Sequence, residues 1–196
     1  MNSTETGVIL LAGGSSARFG AENKLLAPLN GHPLIWHSAS ALAAIPFAIR
    51  VVVAPPALQI DWTILGFEQV DAPESPMLSA SIARGMARLS ASQCRACIIA
   101  LSDMPFVPIS HFRALAEYSD APVVATGSGQ RAMVPARFAR DQWDRLSSLS
   151  GDTGARALLR DAPVIDALSE WLCDIDTPAD LARVTRPAGD PGTCPA

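Results

Sequence analysis

The chain has 196 residues, 49% hydrophobic and 17% charged, and is therefore long enough to bury one large core. Its formal net charge of −4 and the lack of a basic run argue against a partner with a nucleic-acid backbone. Its apolar runs have only strand length, and the N-terminus lacks the layout of a secretory signal, so we expect a soluble, cytoplasmic protein with no membrane partner.

Strand and helix patterns alternate along the chain, which is typical of a layered α/β domain with a mainly parallel sheet. Residues 7–12 predict a buried first strand, and residues 33–45 predict a helix with one apolar face. Residues 49–54 predict a second strand, which ends at two prolines. Residues 64–70 predict a weaker strand, and residues 79–89 carry apolar side chains at helical spacing.

The second half of the chain continues this alternation. Residues 97–101 predict the clearest central strand, and Ser110 is a candidate cap for the helix that follows. Residues 122–125 predict another short strand. The glycine-rich, polar residues 127–132 predict a surface turn before the chain returns to the core.

The C-terminal region predicts one more helix and then a tail. Thr177, Pro178 and Asp180 form a compact helix start, in which Asp180 takes the place of the usual glutamate of a capping box. We expect residues 1–186 to form one domain and residues 187–196 to be a disordered tail, since no repeat or linker divides the chain.

A glycine-rich turn follows the first strand directly, at residues 12–20. Its glycines allow close approach of the backbone to a ligand, and its amides can point at an anion. It matches neither the P-loop nor the dinucleotide-binding pattern, and an ordinary βα turn is the alternative. Arg18 within the turn and Lys24 just after it favour a phosphate loop, because they place two cations within reach of a triphosphate.

Two acidic groups come from distant parts of the chain. Asp103 ends the central strand, and the proline two residues later holds the backbone extended there. Asp176 lies in the cluster near the C-terminus, where Asp174 is an alternative. Two carboxylates suit Mg²⁺, which takes only one or two protein ligands besides substrate phosphates. Capping or strand termination is the alternative role for these acids.

The cysteines and histidines indicate no separate site. Four cysteines are too few for a disulfide framework, and the C-x-x-C of Cys94 and Cys97 is interpreted as core rather than as a zinc or redox motif. The three histidines lie in or beside predicted helix starts and are interpreted as surface or capping residues: His32, His37 and His111.

The motif of residues 11–14, together with Arg18, Gly20, Lys24 and the motif of residues 103–105, resembles the MobA-like NTP transferase family of molybdenum-cofactor nucleotidyltransferases. The resemblance spans residues 8 to about 184. It implies a three-layer α/β/α, Rossmann-like nucleotide-diphospho-sugar transferase (GT-A type) fold with a mostly parallel sheet.

The resemblance also implies residue roles. Arg18, Lys24 and Asp103 would be catalytic, and Asp103 and Asp176 would hold Mg²⁺. The nucleotide-binding residues implied by the family are Leu11, Ala12, Gly13, Gly14, Ser15, Lys24, Asp71, Ser79 and Ser81. Asp152 and Arg156, four residues apart, would line the acceptor pocket or form a helix-surface ion pair.

Within the family, residues 151–156 and 174–181 resemble the cytidylyltransferase branch, which makes molybdopterin cytosine dinucleotide. Gly13 is closer to the guanylyltransferase branch, and Met77 replaces an expected glycine. The resemblance therefore implies transfer of CMP from CTP to a molybdopterin-type cofactor, with a molybdoenzyme or its maturation chaperone as a possible partner. The alternatives are a GTP-dependent relative, a sugar- or polyol-phosphate nucleotidyltransferase, and a non-catalytic nucleotide-binding protein that handles the cofactor.

Overall fold

A seven-stranded sheet runs through the protein, whose structure is a computed structural model that describes residues 2–13, 19, 23–74, 77–129, 131–151 and 155–185. The strands in chain order are β1 (Thr6–Leu11), β2 (Pro28–Leu29), β3 (His32–Pro33), β4 (Ile49–Ala54), β5 (Glu68–Asp71), β6 (Ala96–Leu101), β7 (Val123–Ser128), β8 (Arg131–Ala139) and β9 (Val164–Asp166). Strands β2 and β3 form a separate small hairpin, and the other strands form the main sheet.

The main sheet is mixed but mostly parallel. Its strand order is β5-β4-β1-β6-β8-β7-β9. The first four strands in this order run parallel, β8 is antiparallel to both of its neighbours, and β9 is parallel to β7. The predicted α/β fold with a mostly parallel sheet is therefore confirmed.

Helices cover both faces of this sheet. They are α1 (Leu34–Ala43), α2 (Leu78–Ser90), α3 (Ile109–Glu117), α4 (Trp143–Ser147), α5 (Arg156–Leu159) and α6 (Pro178–Val184). One apolar core lies between the sheet and α1, α3 and α6, and a second lies between the sheet and α2, α4 and α5. These are the three layers that the sequence predicts.

Burial of both faces of strand β1 explains why its sequence is apolar without alternation. All six of its residues are buried, because side chains on one face enter the first core and those on the other face enter the second. Helix α2 lies very close to this strand at Gly85, where a Cβ atom would stand 2.6 Å from the Cγ2 of Ile9. The first strand is thus fixed from both sides, and its C-terminal end is a rigid starting point for the loop that follows.

Two local predictions are wrong. Residues 64–70 do not form one strand, because Trp62–Leu65 is a 3-10 helix with Trp62 buried, and β5 begins only at Glu68. Ser110 is not a helix cap, because α3 begins one residue earlier, at Ile109, and its N-cap is Pro108. In both places the backbone follows burial and proline geometry instead of side-chain propensity.

The predicted surface turn at residues 127–132 is shorter than expected, because Gly129 is in a turn but residues 127–128 belong to β7 and residues 131–132 to β8. Pro135 lies within β8, where a proline usually argues against a strand. The ladder between β7 and β8 shifts register between Ala125 and Thr126, so that their partners are Ala136 and Met133. Pro135 falls in that irregularity, where no amide is needed for the ladder.

The prediction that His111 is a surface or capping residue is wrong. His111 is 4% exposed, and its Nε2 atom lies 2.8 Å from the hydroxyl of Thr126. That hydroxyl donates to the carbonyl of Pro135, so His111 Nε2 must be the donor in its own bond. Burial lowers the pKa of His111, which therefore serves as a neutral core side chain.

Cys94 and Cys97 are buried, in agreement with their interpretation as core residues, and burial raises the pKa of Cys97. Among the helices that the structure describes, none combines the length and the apolar character needed to cross a membrane. The predicted tail at residues 187–196 lies outside the described residues.

Candidate active site

The C-terminal ends of four parallel strands meet at one edge of the sheet, where ligands of open α/β folds bind. Backbone bonds extend this order beyond the strands. The amide of Ala12 donates to the carbonyl of Val53 at 2.8 Å, and the amide of Ser102 donates to that of Leu11 at 3.1 Å. Gly13 and Asp103 therefore leave the sheet side by side.

Lys24 reaches the same edge from a short 3-10 turn, Lys24–Leu26. The side chain of Asn23 caps this turn by accepting a hydrogen bond from the amide of Leu25 at 3.0 Å. Leu25 is 4% exposed and anchors the turn in the first core. The turn is thus held by its cap and by its apolar residue, which leaves the Lys24 side chain directed at the sheet edge.

The ammonium of Lys24 joins the two predicted acidic groups. Its Nζ atom lies 2.7 Å from Oδ2 of Asp103 and 2.8 Å from Oδ1 of Asp176. Lys24 itself is only 6% exposed. We call these three residues the lysine–carboxylate centre.

The electrostatics of this centre are dominated by its carboxylates. Burial by itself would lower the pKa of Lys24, but Asp103 and Asp176 outweigh it and raise that pKa above its usual value. For Asp174, desolvation first and then the charges of Asp103 and Asp176 raise the pKa to about 6, although the residue is exposed. Lys24 therefore stays charged, and a third acid stands beside the centre.

The loop that carries Asp103 is held by its neighbours. Ser38 of α1, buried in the first layer, donates to the carbonyl of Met104 at 3.0 Å and approaches that of Ser102 at 3.4 Å. The amide of Ile175 donates to the carbonyl of Asp103 at 3.0 Å, and Ile175 is fully buried. This last bond fastens the C-terminal acidic segment to the end of β6.

Asp176 is held by the helix start that the sequence predicts. Thr177 and Asp180 form a capping box, with Asp180 replacing the usual glutamate as predicted. Oδ2 of Asp180 accepts from the amide of Thr177 at 2.9 Å and from that of Asp176 at 3.3 Å. The backbone that carries the second carboxylate is therefore fixed from α6.

The centre fits a divalent cation bound partly by substrate. Oδ1 of Asp103 is buried and accepts no hydrogen bond from the part of the chain that the structure describes. Over that same part, no group of three or more acidic, histidine or cysteine side chains could enclose a metal. Two carboxylates meet the need of Mg²⁺ or a similar ion, which takes its other ligands from phosphates and water.

A cavity of about 200 Å³ lies between Gly13 and the centre. Its lining residues are Leu11, Gly13, Lys24, Leu25, Leu78, Ser81, Leu101, Ser102 and Asp103. A Cβ atom on Gly13 would stand 3.0 Å from the hydroxyl oxygen of Ser81 and 3.4 Å from Cβ of Ala72. Glycine thus lets the chain after β1 pass close to the N-terminal part of α2, and the N-terminus of a helix favours an anion.

The other predicted site residues lie outside the described residues or away from the lining of the cavity. Gly14, Ser15 and Arg18 lie outside the described residues, as does Asp152. Ala12 is buried beneath the cavity, and Ser79 is 3% exposed but does not line it. Asp71 is exposed at the C-terminal end of β5, next to the residue that contacts Gly13. The roles of all these residues, and of Leu11, Lys24, Ser81, Asp103 and Asp176, stay predictions.

Sequence reasoning missed the residues that position the site. Ser38 stands in the apolar stripe of α1 beside Ile35, Ala39 and Leu42, and all four are buried. A polar residue in an apolar stripe is the signal that could have identified it, because a buried hydroxyl needs a partner. Ser102 and Leu78 of the cavity carried no such signal.

Comparison with known proteins gives one family and several structures. The MobA-like NTP transferase domain matches residues 8–168 of this chain. None of the curated proteins matches it.

The solved structures are similar over nearly the whole chain. Rv0371c from Mycobacterium tuberculosis H37Rv is 20% identical with a TM-score of 0.78, and the match covers 94% of this chain and 99% of that one. A structure of Rv0371c in complex with manganese is 21% identical with a TM-score of 0.72, and the match covers 92% of this chain and 97% of that one. A nucleotidyl transferase from Methanothermobacter thermautotroptrophicus (Mth528) is 22% identical with a TM-score of 0.76, covering 92% and 95%. The 2-C-methyl-D-erythritol 4-phosphate cytidylyltransferase from Thermus thermophilus is 17% identical with a TM-score of 0.63, and the match covers 90% of this chain and 96% of that one.

Proposed function

Because the chain belongs to the MobA-like NTP transferase domain family, we propose that it transfers CMP from CTP to the phosphate of molybdopterin or a related molybdenum cofactor, with release of pyrophosphate. The observation that carries this proposal is the lysine–carboxylate centre beside Gly13, at the sheet edge where nucleotides bind. A molybdoenzyme or its maturation chaperone would receive the product.

The triphosphate would bind in the loop after β1. Gly13, with Gly14, Ser15 and Arg18 as the sequence predicts, would surround the phosphates, and the first turn of α2 would add its amides. Lys24 would contribute its positive charge from the floor of the same cavity. Asp71 and Ser81 would lie near the nucleoside.

A divalent cation, which we propose to be Mg²⁺, would be held by Asp103 and Asp176. The buried Oδ1 of Asp103, which has no hydrogen-bond partner among the described residues, supports this assignment, as does the manganese complex of the similar Rv0371c. Such a cation would neutralise negative charge on the phosphates, including the charge that develops on the leaving group.

The reaction would be an in-line displacement at the α-phosphorus of CTP. An oxygen of the acceptor phosphate forms the new P–O bond while the bond from the α-phosphorus to the bridging oxygen of pyrophosphate breaks. Positioning and charge neutralisation would supply most of the rate, and no covalent enzyme intermediate is required. Lys24 and Arg18 would offset the negative charge that develops on pyrophosphate.

The base is proposed from the sequence motifs. Residues 151–156 and 174–181 favour CTP, whereas Gly13 favours GTP. A pocket built for one base leaves buried polar groups unpaired with the other, which costs several kcal/mol, so the preference should be large.

A polyol-phosphate acceptor is the second candidate. It is supported by the likeness to the Thermus thermophilus cytidylyltransferase, whose acceptor is a methylerythritol phosphate by its name. The likeness extends over 90% of this chain, so both candidates share the fold and the position of the loop.

The test measures pyrophosphate release with Mg²⁺, using CTP or GTP in combination with molybdopterin, 2-C-methyl-D-erythritol 4-phosphate or no acceptor. We expect turnover with CTP and molybdopterin only. A preference for GTP would overturn the choice of base, and turnover with the polyol phosphate would overturn the choice of acceptor. Nucleotide binding without turnover on any acceptor would instead support a non-catalytic protein that handles the cofactor.

A further inference from the structure

Helix α1 holds the chain segment that carries Lys24. Its first residue, Leu34, donates its amide hydrogen to the carbonyl of Ala27 at 2.9 Å, directly after the Lys24 turn. Three residues later, Nε2 of His37 donates to the carbonyl of Leu29 at 2.8 Å, which holds the hairpin of β2 and β3 on the same helix. The segment that supplies the ammonium is therefore attached to α1 at two points.

The next residue of α1, Ser38, holds the loop that carries Asp103. Its hydroxyl lies 3.0 Å from the carbonyl oxygen of Met104 and 3.4 Å from that of Ser102. These two carbonyls precede and follow the carboxylate in the chain, so one hydroxyl contacts the backbone on both sides of Asp103. The carbonyl between them, that of Asp103 itself, accepts from the amide of Ile175 at 3.0 Å. Three successive carbonyls are thus held in place.

The burial of Ser38 makes this contact specific. Ser38 is 1% exposed, and its neighbours on the buried side of α1 are apolar: Ile35, Ala39 and Leu42. A buried hydroxyl costs free energy unless it is hydrogen-bonded. A serine inside a helix can bond to the carbonyl four residues earlier, whereas this hydroxyl is directed at another segment of the chain. Ser38 therefore contributes a directed contact to the Asp103 loop rather than apolar packing.

We propose that Ser38 is a positioning residue: together with the rest of α1, it fixes Asp103 relative to Lys24. The position of Asp103 then sets the affinity of the centre for the divalent cation. This inference rests on the proposed function and adds a residue that acts through Asp103 rather than on the substrate. Nζ of Lys24 lies 2.7 Å from Oδ2 of Asp103, and a bond this short weakens when either partner shifts.

The first readout is the affinity for Mn²⁺ alone, measured on the full-length protein from the EPR signal of the free ion. The comparison is made in Lys24→Met, where no ammonium competes for the carboxylates. Adding Ser38→Ala to this variant should weaken Mn²⁺ binding about tenfold, as is typical when a group that orients a metal ligand is lost. Adding Ser40→Ala should leave the affinity unchanged, because Ser40 lies on the same helix but is only half-buried.

The ammonium of Lys24 supplies a second readout, which needs neither metal nor nucleotide. Since two carboxylates hold it and Lys24 is buried, its protons should exchange slowly with water and give an NMR signal in the wild type. This signal should broaden or disappear in Ser38→Ala and persist in Ser40→Ala. Ser38→Thr, which keeps the hydroxyl, should restore both readouts in part, whereas Ser38→Cys, whose thiol is a weak donor, should not.

Unchanged Mn²⁺ affinity and an unchanged ammonium signal after Ser38→Ala would overturn the proposal, even if the melting temperature falls, because the hydroxyl would then only stabilise the fold. Equal losses after Ser40→Ala would overturn it as well. If Ser38→Ala does not fold, Ser38→Cys and Ser38→Thr provide the same comparison, since both are close to serine in size and differ in donor strength.

The two proposals fail in distinguishable ways. Pyrophosphate release by the wild type, with both readouts unchanged after Ser38→Ala, would remove the positioning role and leave the proposed function standing. Loss of both readouts after Ser38→Ala, in a protein whose wild type turns over no nucleotide, would keep the positioning role and remove the transferase assignment.

Discussion

The lysine–carboxylate centre differs from a second cavity in how the charge of its basic side chains is balanced. This second cavity, of about 440 Å³, is lined by Arg131, Ala132, Arg156, Ala157 and Arg160, and we call it the arginine pocket. Lys24 is buried and makes two short ion pairs, so the protein itself neutralises it. The three arginines of the pocket are exposed and form no ion pair with a described carboxylate, although Arg131 offsets part of the rise in the pKa of Asp174. The first region is preassembled, whereas in the second no ion pair between described residues balances the arginines.

This difference suggests different tasks. In the centre, the ammonium holds two carboxylates together that would otherwise repel each other, which preserves their arrangement until a substrate binds. In the pocket, guanidinium groups that form no ion pair with a described residue are available to bind an anion. Changes at the centre should therefore lower turnover, and changes at the pocket should weaken the binding of an anion there.

The largest expected effect is that of Asp103→Asn. The change keeps the shape and one oxygen but removes a charge that we assign to metal binding, so we expect kcat/KM to fall by about a thousandfold. The melting temperature should change only slightly. Pyrophosphate-release assays and thermal denaturation measure these outcomes. Collapse of the fold with normal activity per folded molecule would show that Asp103 is a structural residue.

Lys24→Met should lower kcat/KM by about a hundredfold, because it removes one cation facing the triphosphate and leaves two carboxylates without their shared ammonium. The same change vacates the position between the carboxylates. Mn²⁺ without nucleotide should therefore raise the melting temperature of this variant more than that of the wild type.

Two results would contradict this prediction for Lys24. Equal stabilisation of the variant and the wild type by Mn²⁺ would mean that the ammonium and the metal occupy different positions. Near-normal turnover in a folded variant would remove Lys24 from the reaction altogether. Arg113→Gln, an exposed change on α3, is the control in both measurements.

The two regions also differ in how far the sequence predicts them. Residues 97–101 and 49–54 predict central strands because both faces of those strands are buried, and their C-terminal ends point to the site. The pairing of Lys24 with Asp103 and Asp176 spans 79 and 152 positions of the chain, and no local pattern encodes it. The sequence predicted a cation for the triphosphate and two acids for a metal, but not their mutual contact.

The sequence predicts less of the arginine pocket than of the lysine–carboxylate centre. Strand β8 contains Pro135 and follows a glycine-rich hairpin, so its pattern predicts a turn, and Arg131 was placed in that turn. The short helix α5 and strand β9 carry too few residues for periodicity to be recognised. Only Arg156 was considered for the acceptor, because its convergence with Arg131 depends on the packing of α5 against the hairpin.

Gly13→Ala should have a smaller effect, of about tenfold on kcat/KM for the nucleotide. The added methyl group would stand 3.0 Å from the hydroxyl oxygen of Ser81, so the loop or the hydroxyl must shift by a few tenths of an ångström. Combining it with Ser81→Ala removes the close contact and should restore part of the loss, unless the Ser81 hydroxyl itself binds the nucleoside. Kinetics of the two single variants and the double variant decide between these cases, and an additive loss would contradict the steric explanation.

The smallest expected effect is that of Asp180→Ala, which tests whether the capping box positions Asp176. Losing the bonds to the amides of Thr177 and Asp176 should cost about 1 kcal/mol of stability and a few-fold in the apparent affinity for Mg²⁺, with kcat nearly unchanged. Asp180→Asn, which keeps an acceptor oxygen, should recover most of the affinity.

Hydrogen bonds from Thr177 lower the pKa of Asp180, so its contribution is complete above the ordinary value of 3.8 and is lost as the pH falls below it. The difference in melting temperature between the wild type and Asp180→Ala should therefore shrink as the pH falls below 3.8. A difference that stays constant over this range would place the origin of the effect outside the Asp180 carboxylate.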